Sequence, residues 1–148
     1  MNGVVLDGVE VARERIRGLP GALQDKVRKL VNASALRIQS GAKTRCPVDT
    51  GRLRGSYRAY FYDDGMAAEV GSDVQYAQFV EFGTGRAGAA SGVTPAEGYT
   101  YGTGNFFPPP GALAGWARRH GMPGAEYAIA RAISRRGGNP AKPHLYPA

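Results

Sequence analysis

The segment from Gly21 to Arg45 constrains this chain most. Leu23, Val27, Leu30, Val31, Ser34, Ile38 and Ala42 recur at steps of three and four, the spacing of one stripe on an amphipathic helix. Lys26, Arg28, Lys29, Arg37 and Lys43 mostly fall outside that stripe. Pro47 ends the pattern, because a residue that precedes proline is pushed out of helical geometry. The spacing predicts one long helix over Gly21–Arg45.

The flanking segments read as smaller pieces. Val4, Val5 and Leu6 suit a short strand or a docked arm, and Glu10–Arg17 a short helix stopped by Gly18-Leu19-Pro20. From Leu53 to Tyr62 the period changes: Leu53, Tyr57, Ala59 and Phe61 alternate with Arg54, Ser56, Arg58 and Tyr60, the pattern of a half-buried strand. Asp63-Asp64-Gly65 is a turn signal, and Met66–Ser72 reads as the returning strand of a hairpin. Tyr76, Phe79, Val80 and Phe82 could face a core from either a helix or a strand.

No periodicity survives from Gly83 to Gly111, a stretch with eight glycines and four prolines. Tyr99, Tyr101, Phe106 and Phe107 argue against a plain linker, so it reads as a long loop that orders against a neighbour. Leu113, Trp116 and Ala117 predict a short helix ending near Gly121. Ala125, Ala128, Ile129, Ala132 and Ile133 predict a second, closed by Arg135-Arg136-Gly137-Gly138. Residues 139–148, rich in proline, form an extended tail.

At 148 residues the chain fits a single domain, 1–148, without need of staples. It has no apolar run of membrane-spanning length and no visible signal peptide, so no membrane partner is expected. Cys46 is the single cysteine, which excludes an internal disulfide framework and makes a reducing cytosol the default compartment. The net charge of +7 is uneven: residues 98–148 hold six bases and only Glu126 as an acid. Such a surplus fits contact with nucleic acid, with an acidic partner, or a solvated face. A basic module contacting DNA phosphates is the alternative function.

Two strings imitate catalytic motifs. Gly83-Thr84-Gly85-Arg86-Ala87-Gly88 matches G-x-G-x-x-G, but Ala-Ala-Ser-Gly-Val-Thr-Pro follows where that loop needs a helix, and no ribose-binding acid falls about 20 residues on. Asp49-Thr50-Gly51 matches an aspartic-protease string, yet it follows a helix rather than an apolar strand. Arg52 and Arg54 lie beside it and would hold the carboxylate ionised. Asp49 and Thr50 instead suit bonds to nearby backbone amides, with Gly51 taking the turn. His120 and His144, the only histidines, have no acid at ligand spacing, and Cys46 has no thiol or imidazole partner. Neither an enzymatic role nor a cofactor or metal is expected.

The order of motifs nevertheless resembles a family. The helix runs into Cys46-Pro47-Val48-Asp49-Thr50-Gly51-Arg52-Leu53-Arg54-Gly55-Ser56. A hairpin leads to Val80-Glu81-Phe82-Gly83-Thr84-Gly85, and Lys142-Pro143-His144-Leu145-Tyr146-Pro147 comes last. This arrangement resembles the tail-completion, or neck, proteins that join head to tail in long-tailed double-stranded DNA bacteriophages and prophages. Pro143-His144-Leu145-Tyr146 stands where a basic-aromatic Pro-Phe-Leu segment is usual.

The resemblance implies an α+β fold, with a long helix on a small antiparallel sheet, short C-terminal helices and extended arms. It implies a structural virion protein of the neck, assembled in the host cytoplasm and acting as a closed ring, hexameric or dodecameric. Neighbouring partners would be connector and tail-tube or tail-terminator proteins. Asp49, Thr50, Gly51, Arg52, Leu53, Arg54, Glu81, Phe82, Gly83, Thr84, Phe106, Phe107, Pro143 and Tyr146 are the candidate inter-subunit and motif residues, with Glu81 expected to pair with Arg52 or Arg54. Arg118, Arg119, Arg131, Arg135 and Arg136 are candidates to face DNA. Residues 83–111 and 139–148 are expected to order only on assembly.

Overall fold

The computed structural model describes residues 9–18, 20–102 and 107–145. The expected short strand at Val4–Leu6, and the candidates Phe106 and Tyr146, lie outside the described residues. The chain divides into two compact units, residues 1–75 and 76–148. Its class is α+β, as the sequence implied.

The first unit holds helices α1 (Val9–Arg17), α2 (Gly21–Arg45) and α3 (Arg52–Ser56), then strands β1 (Tyr57–Tyr62) and β2 (Ala67–Ser72). α2 has the bounds the sequence predicts. It stops because Cys46, ahead of Pro47, is extended at ψ 127°. The two strands pair antiparallel from Tyr57 against Ser72 to Tyr62 against Ala67. α2 lies against both strands, and Gln39 Nε2 donates to the Tyr57 carbonyl at 2.8 Å.

Ala35, Ala42, Cys46, Leu53 and Tyr57 are buried, and the small alanines let the hairpin approach α2 closely. The expected stripe on α2 is only half used. Val27 and Val31 turn inward, but Leu23, Leu30 and Ile38 stay exposed, with Ser34 exposed between them. A two-stranded ribbon, with strands about 5 Å apart, is too narrow to cover the whole apolar arc.

The expected strand over Leu53–Tyr62 begins four residues late. Gly51, at φ +80°, turns the chain into α3, and the Ser56 hydroxyl donates to the Leu53 carbonyl at 2.7 Å. A buried Leu53 between exposed Arg52 and Arg54 fits both a strand and one helical turn, so alternation over so few residues does not separate them. The alternation also fades along β1, where Phe61 is exposed.

The hairpin closes through a 3₁₀ turn at Asp63–Gly65. Asp63, Asp64 and Gly65 are all left-handed, at φ 49°, 53° and 82°. Arginines hold the turn: Arg28 donates to the Asp64 carbonyl at 2.9 Å and to its carboxylate at 2.6 Å. Arg13 and Arg17 of α1 pair with Asp63 at 2.5 and 3.5 Å.

The second unit holds α4 (Ala77–Glu81), α5 (Gly85–Ala89), α6 (Pro110–Arg119) and α7 (Glu126–Arg136). The ambiguous stretch before Gly83 is thus helical at its end. α6 and α7 pack on each other, with Ala117 and Ala130 fully buried. α7 ends as its sequence predicts: Gly137 is left-handed, its amide bonds the Ser134 carbonyl, and the Gly138 amide bonds the Ile133 carbonyl.

Candidate assembly site: the carboxyl-terminal clasp

The glycine string that imitates a dinucleotide loop is a backbone crossing. At Gly83, φ is +78°, and a Cβ would lie 2.6 Å from the Ala141 amide nitrogen and 2.7 Å from the Asn139 carbonyl oxygen. A Cβ on Gly85 would collide with the Gly137 carbonyl oxygen, and one on Gly138 with that of Thr84. Glycine is needed at these places because two stretches of main chain touch.

Hydrogen bonds lace the two stretches together. The Thr84 amide donates to the Asn139 carbonyl at 2.8 Å, and the Asn139 amide donates back to Thr84 Oγ1 at 2.9 Å. The Ala141 amide donates to Ser91 Oγ, and the Lys142 amide to the Val80 carbonyl, each at 2.9 Å.

The crossing ends on Glu81, the last residue of α4. Its carboxylate is buried and accepts the His144 amide at 3.0 Å and the Leu145 amide at 3.1 Å. His144 Nδ1 lies 2.8 Å from Glu81 Oε2 and 2.7 Å from the Lys142 carbonyl oxygen. Both neighbours are acceptors, so Nδ1 carries a proton. The imidazole is fully buried. Buried charge is tolerated where donors surround it in this way.

An aromatic cluster covers the start of the crossing. The Tyr99 hydroxyl donates to the Gly83 carbonyl. Its ring stands 5.2 Å from Phe82 and 5.3 Å, edge-on, from Tyr101, whose own hydroxyl donates to the Val93 carbonyl at 3.0 Å. Burial, with Tyr101 adding to it, pushes the Tyr99 hydroxyl above the usual tyrosine pKa.

Residues 83–102 and 139–145, expected to order only on a neighbour, therefore already have partners within their own unit. The glycine-rich composition permits a tight crossing as readily as a free arm.

Residues 11–83 match the family model described as "Bacteriophage HK97-gp10, putative tail-component". Over that span the chain is similar to the HK97-gp10-like family. Comparison with curated proteins and with solved structures finds no match. This similarity supports a structural role as a phage tail component.

The HK97-gp10-like span contains α2, the hairpin and Glu81, whereas the Glu81 partners His144 and Leu145 lie beyond it. Within the span, Thr50 Oγ1 accepts the Arg52 amide at a long 3.5 Å and Gly51 makes the turn. Leu53 is buried, while Asp49, Arg52 and Arg54 are exposed. Phe82, Gly83 and Thr84 belong to the clasp. The expectation placed Glu81 beside Arg52 or Arg54; the donors described at its carboxylate come from His144 and Leu145.

Beyond the span, Pro143 is half-buried in the clasp. Phe107 is exposed, and its ring lies 5.7 Å from that of Tyr127. Arg118, Arg119, Arg131, Arg135 and Arg136 are all exposed on α6 and α7. Sequence reasoning missed His144, Ser91 and Asn139 as clasp residues. Only His144 left a signal, by standing where an apolar aromatic is usual. Among the described residues no group of three or more His, Cys, Asp or Glu could hold a metal ion, and no helix is long and apolar enough to cross a membrane.

Proposed function

We propose that this chain is a non-enzymatic neck protein, acting as a ring oligomer in tail completion and head–tail attachment beside connector and tail-tube or tail-terminator proteins. Assembly takes place in the bacterial host cytoplasm. The family match over residues 11–83 carries the reading. The clasp supports it, because the glycine string that imitates a dinucleotide loop is spent on holding main chain to main chain. A phage lacking the chain should accumulate separate filled heads and tails, and purified protein should join them in vitro. Normal particles without the protein would refute the reading. Native mass spectrometry of the joining-competent form should give a six- or twelve-fold multiple of the subunit.

A contact with DNA is the second reading, favoured by the exposure of all five arginines on α6 and α7. It predicts binding that weakens steeply as salt rises. Salt-insensitive or undetectable DNA binding would remove it.

A further inference from the structure

We infer that the outer flank of α2 is a docking seam for an amphipathic helix of another protein, apolar along its contact stripe and carboxylate-bearing along one side. Leu23, Leu30, Ser34 and Ile38 fall on one line along α2 at about 100° per residue, and all four are exposed, Leu30 by 67%. Half-buried Val27 interrupts that line, and half-buried Val31 borders it on one side. Exposed Lys26 and Arg37 border it on the other. From Leu23 to Ile38 the line runs roughly 22 Å, about four helical turns.

Charge decides the occupant. A second α2 laid on this seam about a two-fold axis would set Lys26 near Arg37 of its copy, like against like. Nor do the other helices of eight or more residues offer an acid flank: α1 has more arginines than glutamates, α6 has no acid, and α7 holds the single acid Glu126. A helix presenting leucine-sized side chains to the stripe and carboxylates to Lys26 and Arg37 satisfies both features. The seam lies wholly on α2 and stands whether or not the chain forms a ring.

The test uses two synthetic helical peptides of about 18 residues, alike in a leucine stripe, with glutamates or lysines along one flank. The full chain should bind the glutamate peptide at least tenfold tighter than the lysine peptide. Leu30→Gln, at an exposed position that leaves folding intact by circular dichroism, should weaken binding at least tenfold. The double variant Lys26→Glu with Arg37→Glu should reverse the preference. Equal affinity for both peptides would overturn the inference, as would binding unaffected by Leu30→Gln. So would self-association abolished by Leu30→Gln in a chain that binds neither peptide.

Discussion

Glu81 Oε2 and His144 Nδ1 stand 2.8 Å apart, buried, although 63 positions separate the two residues in sequence. Two main-chain amides share the same carboxylate, so one side chain fixes both the direction and the register of residues 142–145. Glu81→Gln keeps the shape but removes the charge and turns an amide N–H₂ toward donors. A loss of roughly 1–3 kcal/mol or more is expected, because buried donors are left without an acceptor. Chemical denaturation measures it. His144→Phe leaves both amide contacts in place and should cost less than Glu81→Gln.

Gly83→Ala should destabilise by at least 2 kcal/mol or so, because a left-handed residue would also press its Cβ on the Ala141 amide. Gly98→Ala is the control: its φ is +82° but its Cβ would meet open space, so about 1 kcal/mol is expected. Thermal melting of the two variants separates collision from conformational strain.

Leu53→Ala should cost about 2–4 kcal/mol, the usual loss for a buried leucine, while Arg52→Ala should change stability by less than about 0.5 kcal/mol. If the motif 49–54 serves assembly through its exposed arginines, Arg52→Ala lowers head–tail joining without lowering the melting temperature.

The Tyr99 hydroxyl has its pKa raised by burial, so the folded state favours the neutral phenol. Its contribution is whole below the ordinary tyrosine pKa near 10 and is lost as pH rises from there through the folded-state value. Stability measured across that range should fall more steeply for the native chain than for Tyr99→Phe.

The first unit was the more legible half. Pro20 with Gly21, and Pro47, bracket α2, and Asp63-Asp64-Gly65 closes the hairpin, because local backbone rules set those boundaries. What covers each face of α2 was not legible. Periodicity marks an apolar arc, but the width of the layer lying on it belongs to tertiary structure. The clasp was hidden for another reason: its donors at Asn139, Ala141, Lys142 and Leu145 are main-chain amides, which look the same in every sequence. Gly83, Gly85 and Gly88 read in the sequence only as a false motif within a long loop.

The clasp also sets how the second unit carries force. A pull applied at Leu145 passes directly to Glu81, and the bonds between Thr84 and Asn139 take up the remainder. The α6–α7 pair in between sits in a tethered loop, shielded from tension until those bonds give way, like slack rope behind a knot.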